Sequence, residues 1–190
     1  MAAPTTTASI TLVRPSAAML PQYAAALESG WSPTTTHDVS KQQLAALRRD
    51  PVGFLRDLTA QTGTIELADG RRVPRLSLRL FWISDGTFCG MISLRFKPGT
   101  EALPPQVSGH IGYSLVPWKR RRGYATRALA LMLPIAREEG LARVLITCDE
   151  DNIASRKVIE TNGGVLSGTA PSERHGVRKL LFWVPTERLA

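Results

Sequence analysis

The chain has 190 residues and a mass of 20.7 kDa, which is the length of one domain and enough to bury a hydrophobic core. Hydrophobic residues make up 43% of the sequence and charged residues 21%, as in ordinary globular proteins, and no apolar run reaches the roughly 18 residues that predict a membrane-spanning helix. The net charge of +8 favours a nucleic acid, an anionic surface or a polyphosphate ligand as partner, unless it is a general basic bias spread over the surface.

Two cysteines, Cys89 and Cys148, lie in separate predicted strands. They do not have the spacing of a metal site, and they do not indicate a disulfide framework. The first seven residues lack the basic start and long apolar core of a secretory signal. We therefore expect no metal site, a cytoplasmic protein, a disordered leader at residues 1–7 and a single domain at residues 8–186.

The spacing of apolar residues predicts alternating strands and helices along the chain. Pro51 interrupts the second helix and predicts a kink or two short helices there. The Ser-Asp-Gly sequence at residues 84–86 is typical of a tight hairpin turn. In chain order the elements are a strand at 9–14, helices at 16–28 and about 38–58, strands at 73–85, 87–97 and 110–116, a helix at 124–139, a strand at 141–148, a helix at 152–162, and strands at 165–169 and 178–184.

This order of elements predicts the fold class. The strand–helix–strand unit at residues 110–148 requires a parallel crossover, whereas the hairpins are antiparallel. We therefore predict an α/β (α+β) protein with one core, in which about four helices flank a mixed, largely antiparallel seven-stranded sheet.

The strongest functional signal is the basic segment at residues 117–126, which joins a predicted strand to a predicted helix. Lys119 to Arg122 are four consecutive basic residues, and Gly123 follows them. The free N–H groups and the dipole of a helix N-terminus favour an anion, the arginines add positive charge, and a glycine lets the backbone approach a ligand closely. The segment therefore predicts a phosphate-binding loop, although a solvated run of charges is an alternative.

The same segment resembles the acyl-CoA pyrophosphate motif of the GNAT superfamily of N-acetyltransferases. Arg120, Gly123 and Ala125 give the pattern Arg-x-x-Gly-x-Ala, directly after a strand and Pro117. The predicted order of elements is also similar to that of the GNAT fold.

Further segments extend the resemblance over roughly residues 9–184. Residues 146–155, Ile-Thr-Cys-Asp-Glu-Asp-Asn-Ile-Ala-Ser, are similar to a second signature of the family at the expected distance. Residues 109–114 and 152–155 resemble a bacterial branch known mainly as predicted acetyltransferases.

The resemblance implies acetyl-CoA as the acyl donor and gives a set of cofactor-binding positions. The backbone of two strand residues would pair with the pantetheine arm, the loop amides would hold the pyrophosphate, and Asn152 and Ser155 would lie near the thiol. Asn152 could instead be only a helix N-cap, and Ser155 only a small packing residue. The implied cofactor-binding residues are Leu115, Val116, Arg120, Arg121, Arg122, Gly123, Tyr124, Ala125, Thr126, Asn152 and Ser155.

The catalytic groups depart from the family pattern, because one usual residue is missing. The family often supplies a proton to the leaving thiolate from a tyrosine on its last main helix, and the matching position here is Ile159, which cannot donate. Tyr113 could replace that acid, His110 could act as a base near neutral pH, and Glu28 could bind the acceptor amine. Their alternatives are a packing tyrosine, a structural histidine and a surface carboxylate. Arg95 could bind an acidic acceptor or pair with a neighbour.

The resemblance implies direct transfer of an acetyl group from acetyl-CoA to a primary amine of a small molecule or a protein. A second possibility is an acyl-CoA-binding module without catalysis, since Ile159 removes the usual acid. Nucleic-acid binding through the basic surface is a third, but the interleaved aromatic residues typical of that role are missing. We expect no membrane partner and a monomer or homodimer.

Overall fold

In the computed structural model the described residues are 9–34, 37–60, 63–66, 70, 72–172, 174 and 176–187. The expected leader at residues 1–7 lies outside them. The strands are β1 (Thr11–Val13), β2 (Thr64–Glu66), β3 (Arg72–Pro74), β4 (Ser77–Ser84), β5 (Phe88–Phe96), β6 (Ile111–Leu115), β7 (Arg143–Asp149), β8 (Val165–Pro171) and β9 (Arg178–Pro185). The α-helices are α1 (Leu20–Glu28), α2 (Ser40–Arg49), α3 (Pro51–Leu58), α4 (Tyr124–Glu138) and α5 (Ile153–Thr161).

Seven of these strands form the two main sheets. One sheet has the order β1-β4-β5-β6 and the other β7-β9-β8, and all of their paired strands are antiparallel. The predicted α/β architecture is confirmed, but the expected single sheet is divided into four and three strands. The short hairpin of β2 and β3 was not predicted.

The predicted strand at residues 73–85 is divided into β3 and β4. Pro74, which has no N–H group to donate, is the last residue of β3 and ends the strand pairing there. The predicted interruption at Pro51 is confirmed, because α2 ends before it and α3 begins with it. The Asp50 side chain accepts a hydrogen bond of 2.9 Å from the Gly53 N–H and caps α3.

The two main sheets meet at β6 and β7, which are linked by α4. The His110 N–H donates to the Leu145 carbonyl (2.7 Å), and the Leu145 N–H donates to His110 Nδ1 (2.9 Å). Within the described residues β6 and β7 form no strand ladder with each other. The predicted strand–helix–strand order is confirmed, but these strands separate beyond His110 and leave a gap.

Two hydrophobic clusters cover opposite faces of the four-stranded sheet, because alternate strand residues point to opposite sides. Leu80 and Trp82 of β4 belong to the cluster formed with α1 to α3, whereas Ile83 belongs to the cluster formed with α4 and the second sheet. In the first cluster the Tyr23 and Trp82 rings stack at 5.1 Å. None of the helices in the described ranges is both long and apolar enough to cross a bilayer.

Candidate active site

A cavity of about 410 Å³ lies at the gap between β6 and β7. On the side of α5 it is lined by Tyr113, Asn152 and Ser155, and residues of the opposite side include Thr34 and Arg95. Strand alternation places Arg95 and Tyr113 on opposite faces of the first sheet. The cavity therefore passes between the sheets, and two ligands could approach each other through it from opposite faces.

The predicted phosphate-binding loop lies between β6 and α4, and its backbone has the form of an anion site. Arg121 (φ 59°) and Gly123 (φ 75°) adopt left-handed conformations, and such alternation turns consecutive N–H groups toward one side. Arg121 is the one non-glycine residue with positive φ among the described residues. This conformation is uncommon outside glycine and occurs often at functional sites.

The N-terminus of α4 has no side-chain cap. Its first intrahelical bond runs from the Arg127 N–H to the Gly123 carbonyl (3.0 Å). Within the described part of the chain, the N–H groups of residues 121–126 make no hydrogen bond. The exposed side chains of Arg121 and Arg122 add positive charge beside these free donors, so the loop can hold a doubly charged anion.

Asp85, in the turn between β4 and β5, holds this loop from both ends. Its carboxylate accepts hydrogen bonds from Lys119 Nζ (2.7 Å) and the Tyr124 hydroxyl (2.8 Å), one on each side of Gly123. The Asp85 side chain is only 9% exposed. Burial by itself would raise the pKa of Asp85, but the hydrogen bonds from Lys119, Thr87 and Tyr124 outweigh it and keep the pKa well below its usual range.

The role of Asp85 was missed in the sequence because the signal is not local. The Ser-Asp-Gly pattern predicts the hairpin turn, and the turn is present between β4 and β5. The residues that Asp85 contacts follow it by 34 and 39 positions. Only the tertiary fold brings that turn to the loop.

The free edge of β6 presents the backbone groups of Tyr113 and Leu115, whereas those of Leu115 and Val116 were expected. The Val116 N–H donates to the Cys89 carbonyl and the Val116 carbonyl accepts from the Lys119 N–H, both at 3.0 Å, so neither group of Val116 is free. Along an antiparallel strand, successive residues direct their backbone N–H and C=O groups alternately toward and away from the partner strand. Because Val116 is bonded to β5, Tyr113 and Leu115 direct their backbone groups away from β5 and toward the gap. The Leu115 carbonyl already accepts a bond from Arg120 Nε (3.1 Å).

Tyr113 and the start of α5 lie together at the cavity. The Tyr113 hydroxyl donates to the Ser155 carbonyl (3.4 Å), and burial raises the pKa of Tyr113 to about 12, so the phenol is protonated at neutral pH. The Asn152 side chain accepts a bond of 3.0 Å from the Ser155 N–H. Asn152 is thus the N-cap of α5 and also lines the cavity.

The other two candidate catalytic residues lie elsewhere. His110 is 1% exposed, and burial lowers its pKa, so its ring stays neutral while Nδ1 accepts the Leu145 N–H. Glu28 is an exposed residue that pairs with Arg48 at 2.6 Å. Neither belongs to the cavity wall formed by the described residues. Ile159 is fully buried in the core.

The described residues include no group of three or more His, Cys, Asp or Glu side chains arranged to hold a metal ion. Cys148 lines the cavity, and burial raises its pKa to about 11. Its thiol is therefore protonated at neutral pH and is a poor nucleophile.

A family model described as an acetyltransferase (GNAT) domain matches residues 21–165, which is more than half of the chain. The chain belongs to the GNAT acetyltransferase family. The resemblance found in the sequence is thereby confirmed. GNAT enzymes transfer acyl groups from acyl-CoA donors, and acetyl-CoA is the usual donor. No curated protein matches this chain in sequence.

Solved structures of similar fold are also GNAT acetyltransferases. Mycobacterium smegmatis RimJ in complex with CoA-disulfide has 21% identity and a TM-score of 0.63, with 93% of this chain and 81% of that chain covered. The ribosomal L7/L12 alpha-N-protein acetyltransferase RimL, in complex with coenzyme A, has 18% identity and a TM-score of 0.61, with 94% and 96% covered. The microcin C7 self-immunity acetyltransferase MccE, in complex with acetyl-CoA and AMP, has 16% identity and a TM-score of 0.59, with 93% and 92% covered. At identities of 16% to 21%, the similarity to these structures shows a shared fold only.

Proposed function

We propose that this GNAT protein is an N-acetyltransferase that moves an acetyl group from acetyl-CoA directly to a primary amine of a small molecule or a protein. The observation that carries the proposal is the uncapped N-terminus of α4, with its free N–H groups, beside a cavity that passes between the sheets. A cytoplasmic location and a monomeric or homodimeric state remain predictions.

The donor would bind along the loop and the gap. The diphosphate would accept hydrogen bonds from the N–H groups of residues 121–126, with the arginine side chains nearby. The pantetheine arm would pair with the backbone of Tyr113 and Leu115, which replaces the expected pair of Leu115 and Val116. Structures of RimL and MccE with coenzyme A or acetyl-CoA support this choice of ligand.

Acetyl transfer would take place in the cavity, where the acceptor amine would lie next to the thioester of the donor. The amine nitrogen forms a bond to the thioester carbonyl carbon, and the carbon–sulfur bond breaks. The nitrogen loses a proton and the sulfur gains one, so the products are an amide and the CoA thiol. The protonated Tyr113 hydroxyl would donate a hydrogen bond to the departing thiolate and relay the proton. The protonated thiol of Cys148 supports direct transfer without an acyl-enzyme.

Two other residues keep their predicted roles in this scheme. His110 would be the general base and Glu28 would bind the amine. Both would require either a change of conformation or a link through bound water, because neither lines the cavity.

A thiol-release assay with acetyl-CoA and a panel of amines tests the proposal. The panel contains small primary amines and peptides with free N-termini, since RimL is described as an alpha-N-protein acetyltransferase. We expect CoA release that depends on at least one amine, together with an acetylated product seen by mass spectrometry.

A second candidate is an acyl-CoA-binding module without catalysis. The buried Ile159 favours it, because the position of the usual tyrosine acid lies in the core. Tight binding of acetyl-CoA without amine-dependent thiol release would support the module and overturn the enzyme.

A further inference from the structure

Arg95 of β5 places a positive charge on the wall of the cavity. Ser93 and Met91, two and four positions before it, line the same cavity and lie on the same face of the strand. This face is opposite to the one that carries Tyr113, so Arg95 lies on the side from which an acceptor would approach.

Within the described part of the chain, the Arg95 guanidinium makes no ion pair or hydrogen bond. The residue is exposed within the open cavity, whereas its guanidinium is desolvated enough for burial to lower its pKa. A partly desolvated and unpaired cation gains more from an anionic ligand than a fully hydrated one does.

The other charged groups of the cavity do not balance Arg95. Asp149 is engaged by Arg174 at 3.2 Å and by the Ser172 hydroxyl at 2.8 Å. Lys179, a further cation, also lines the cavity. The charged side chains that line the cavity therefore carry a net positive charge. Among the described residues, Arg95 is the one of these side chains that has no hydrogen-bond or ion-pair partner.

We propose that Arg95 binds an anionic group of the acceptor, either a carboxylate or a phosphate, and so selects amines that carry a nearby negative charge. This inference rests on the proposed acetyltransferase function and names its substrate class. A guanidinium can donate two parallel hydrogen bonds to either group. Arg95 is three residues along β5 from Ile92, which pairs with Tyr113, so an acceptor that reaches both has its amine and anion on the order of 10 Å apart or less.

Matched pairs of acceptors test the proposal. Phosphoethanolamine is compared with ethanolamine, and a peptide beginning Ser-Asp with the same peptide beginning Ser-Asn. Amine-dependent thiol release and calorimetric binding to the CoA-loaded protein are measured for each. We expect the anionic member of at least one pair to have a kcat/KM about tenfold higher and tighter binding. The pair that shows the preference distinguishes a phosphate from a peptide carboxylate.

Variants of Arg95 assign the preference to this side chain. We expect Arg95→Gln to abolish the preference by raising KM for the anionic acceptor alone, with kcat for the neutral acceptor unchanged. Arg95→Lys restores part of the preference, and Arg95→Glu reverses it toward a cationic acceptor. Arg49→Gln, which removes an exposed arginine at the end of α2, keeps the wild-type preference.

Two results would overturn the proposal. One is equal turnover and binding of both members of each pair by the wild-type protein, which would leave the acetyltransferase function intact. The other is a preference that survives in Arg95→Gln. If no amine is acetylated, the proposed function fails, and the calorimetric comparison of wild type with Arg95→Gln still decides whether Arg95 binds the anion.

Discussion

At the scale of single residues, Tyr113 is the candidate acid that the fold brings to the cavity. Its backbone lies at the unpaired edge of β6, and its hydroxyl reaches the first turn of α5. Burial raises the pKa of Tyr113 to about 12, so the hydroxyl keeps its proton over the range in which an amine acceptor becomes neutral. A strand tyrosine thus occupies a position from which it can take over the role that Ile159 cannot fill.

Replacing Tyr113 by phenylalanine tests this role. We expect Tyr113→Phe to lower kcat by about a hundredfold, with little change in acetyl-CoA affinity, because the ring and the backbone edge remain. Steady-state kinetics and calorimetry separate the two effects. Tyr23→Phe is the matched control, since Tyr23 lies in the aromatic cluster of α1 and its hydroxyl donates to Gln43. An unchanged kcat in Tyr113→Phe would remove Tyr113 as the acid.

At the scale of elements, the β4–β5 turn and the phosphate-binding loop form one unit through Asp85. The Lys119 and Tyr124 contacts lie on either side of Gly123, so Asp85 fixes the loop before a ligand arrives. Because that carboxylate is nearly buried, its bonds should contribute more than an exposed ion pair does.

Loss of the Asp85 charge should therefore weaken donor binding. We expect Asp85→Asn to raise the KM for acetyl-CoA by about tenfold and to leave kcat at saturating donor nearly unchanged. Donor-dependent kinetics with a fixed amine measure the effect. Asp57→Asn, which removes an exposed carboxylate paired with Arg56, should behave as wild type. A parallel fall of kcat in Asp85→Asn would indicate a general structural defect instead.

The sequence was sufficient to predict the elements around the loop, because their signals are local. A strand before Pro117, a basic run, Gly123 and an apolar helix spacing all lie within residues 110–139, and the motif names the family. The free edge of β6 was not predictable in the same way. Which backbone groups face the gap depends on the register of β6 against β5, so Val116 was expected there and Tyr113 was not.

At the scale of the whole molecule, the division of the sheet was also beyond the sequence. The pattern of residues 110–148 predicts two strands and a helix, but not whether the strands pair. In the fold they separate after His110, which joins the two sheets by its backbone and its ring. The opening that forms the cavity is thus set by long-range packing.

The buried His110 makes the stability of this junction depend on pH. Burial lowers the pKa of His110 more than the nearby Glu101 charge raises it, so the folded pKa lies below the unfolded value of about 6.5. The unfolded state then binds more protons, and folded-state stability is lost as pH falls below that value. Protonation of Nδ1 would also break the bond from Leu145.

Thermal unfolding of wild type and His110→Gln at several pH values tests whether His110 causes this pH dependence of stability. We expect the wild-type Tm to fall between about pH 7 and pH 5, and His110→Gln to show a lower Tm at neutral pH but a shallower decline in acid. Identical slopes for the two proteins would show that His110 does not carry the pH dependence.

Isothermal titration with acetyl-CoA tests most directly whether the loop between β6 and α4 binds the diphosphate of this donor. Gly123→Glu places a carboxylate at the free N–H groups. Gly140→Glu, at the other end of α4, is the control because that glycine has a similar positive φ of 86°. We predict that wild type and Gly140→Glu bind acetyl-CoA alike, and that Gly123→Glu, still folded by its thermal transition, binds at least about tenfold more weakly. Equal affinity of Gly123→Glu and wild type would contradict the placement of the donor site.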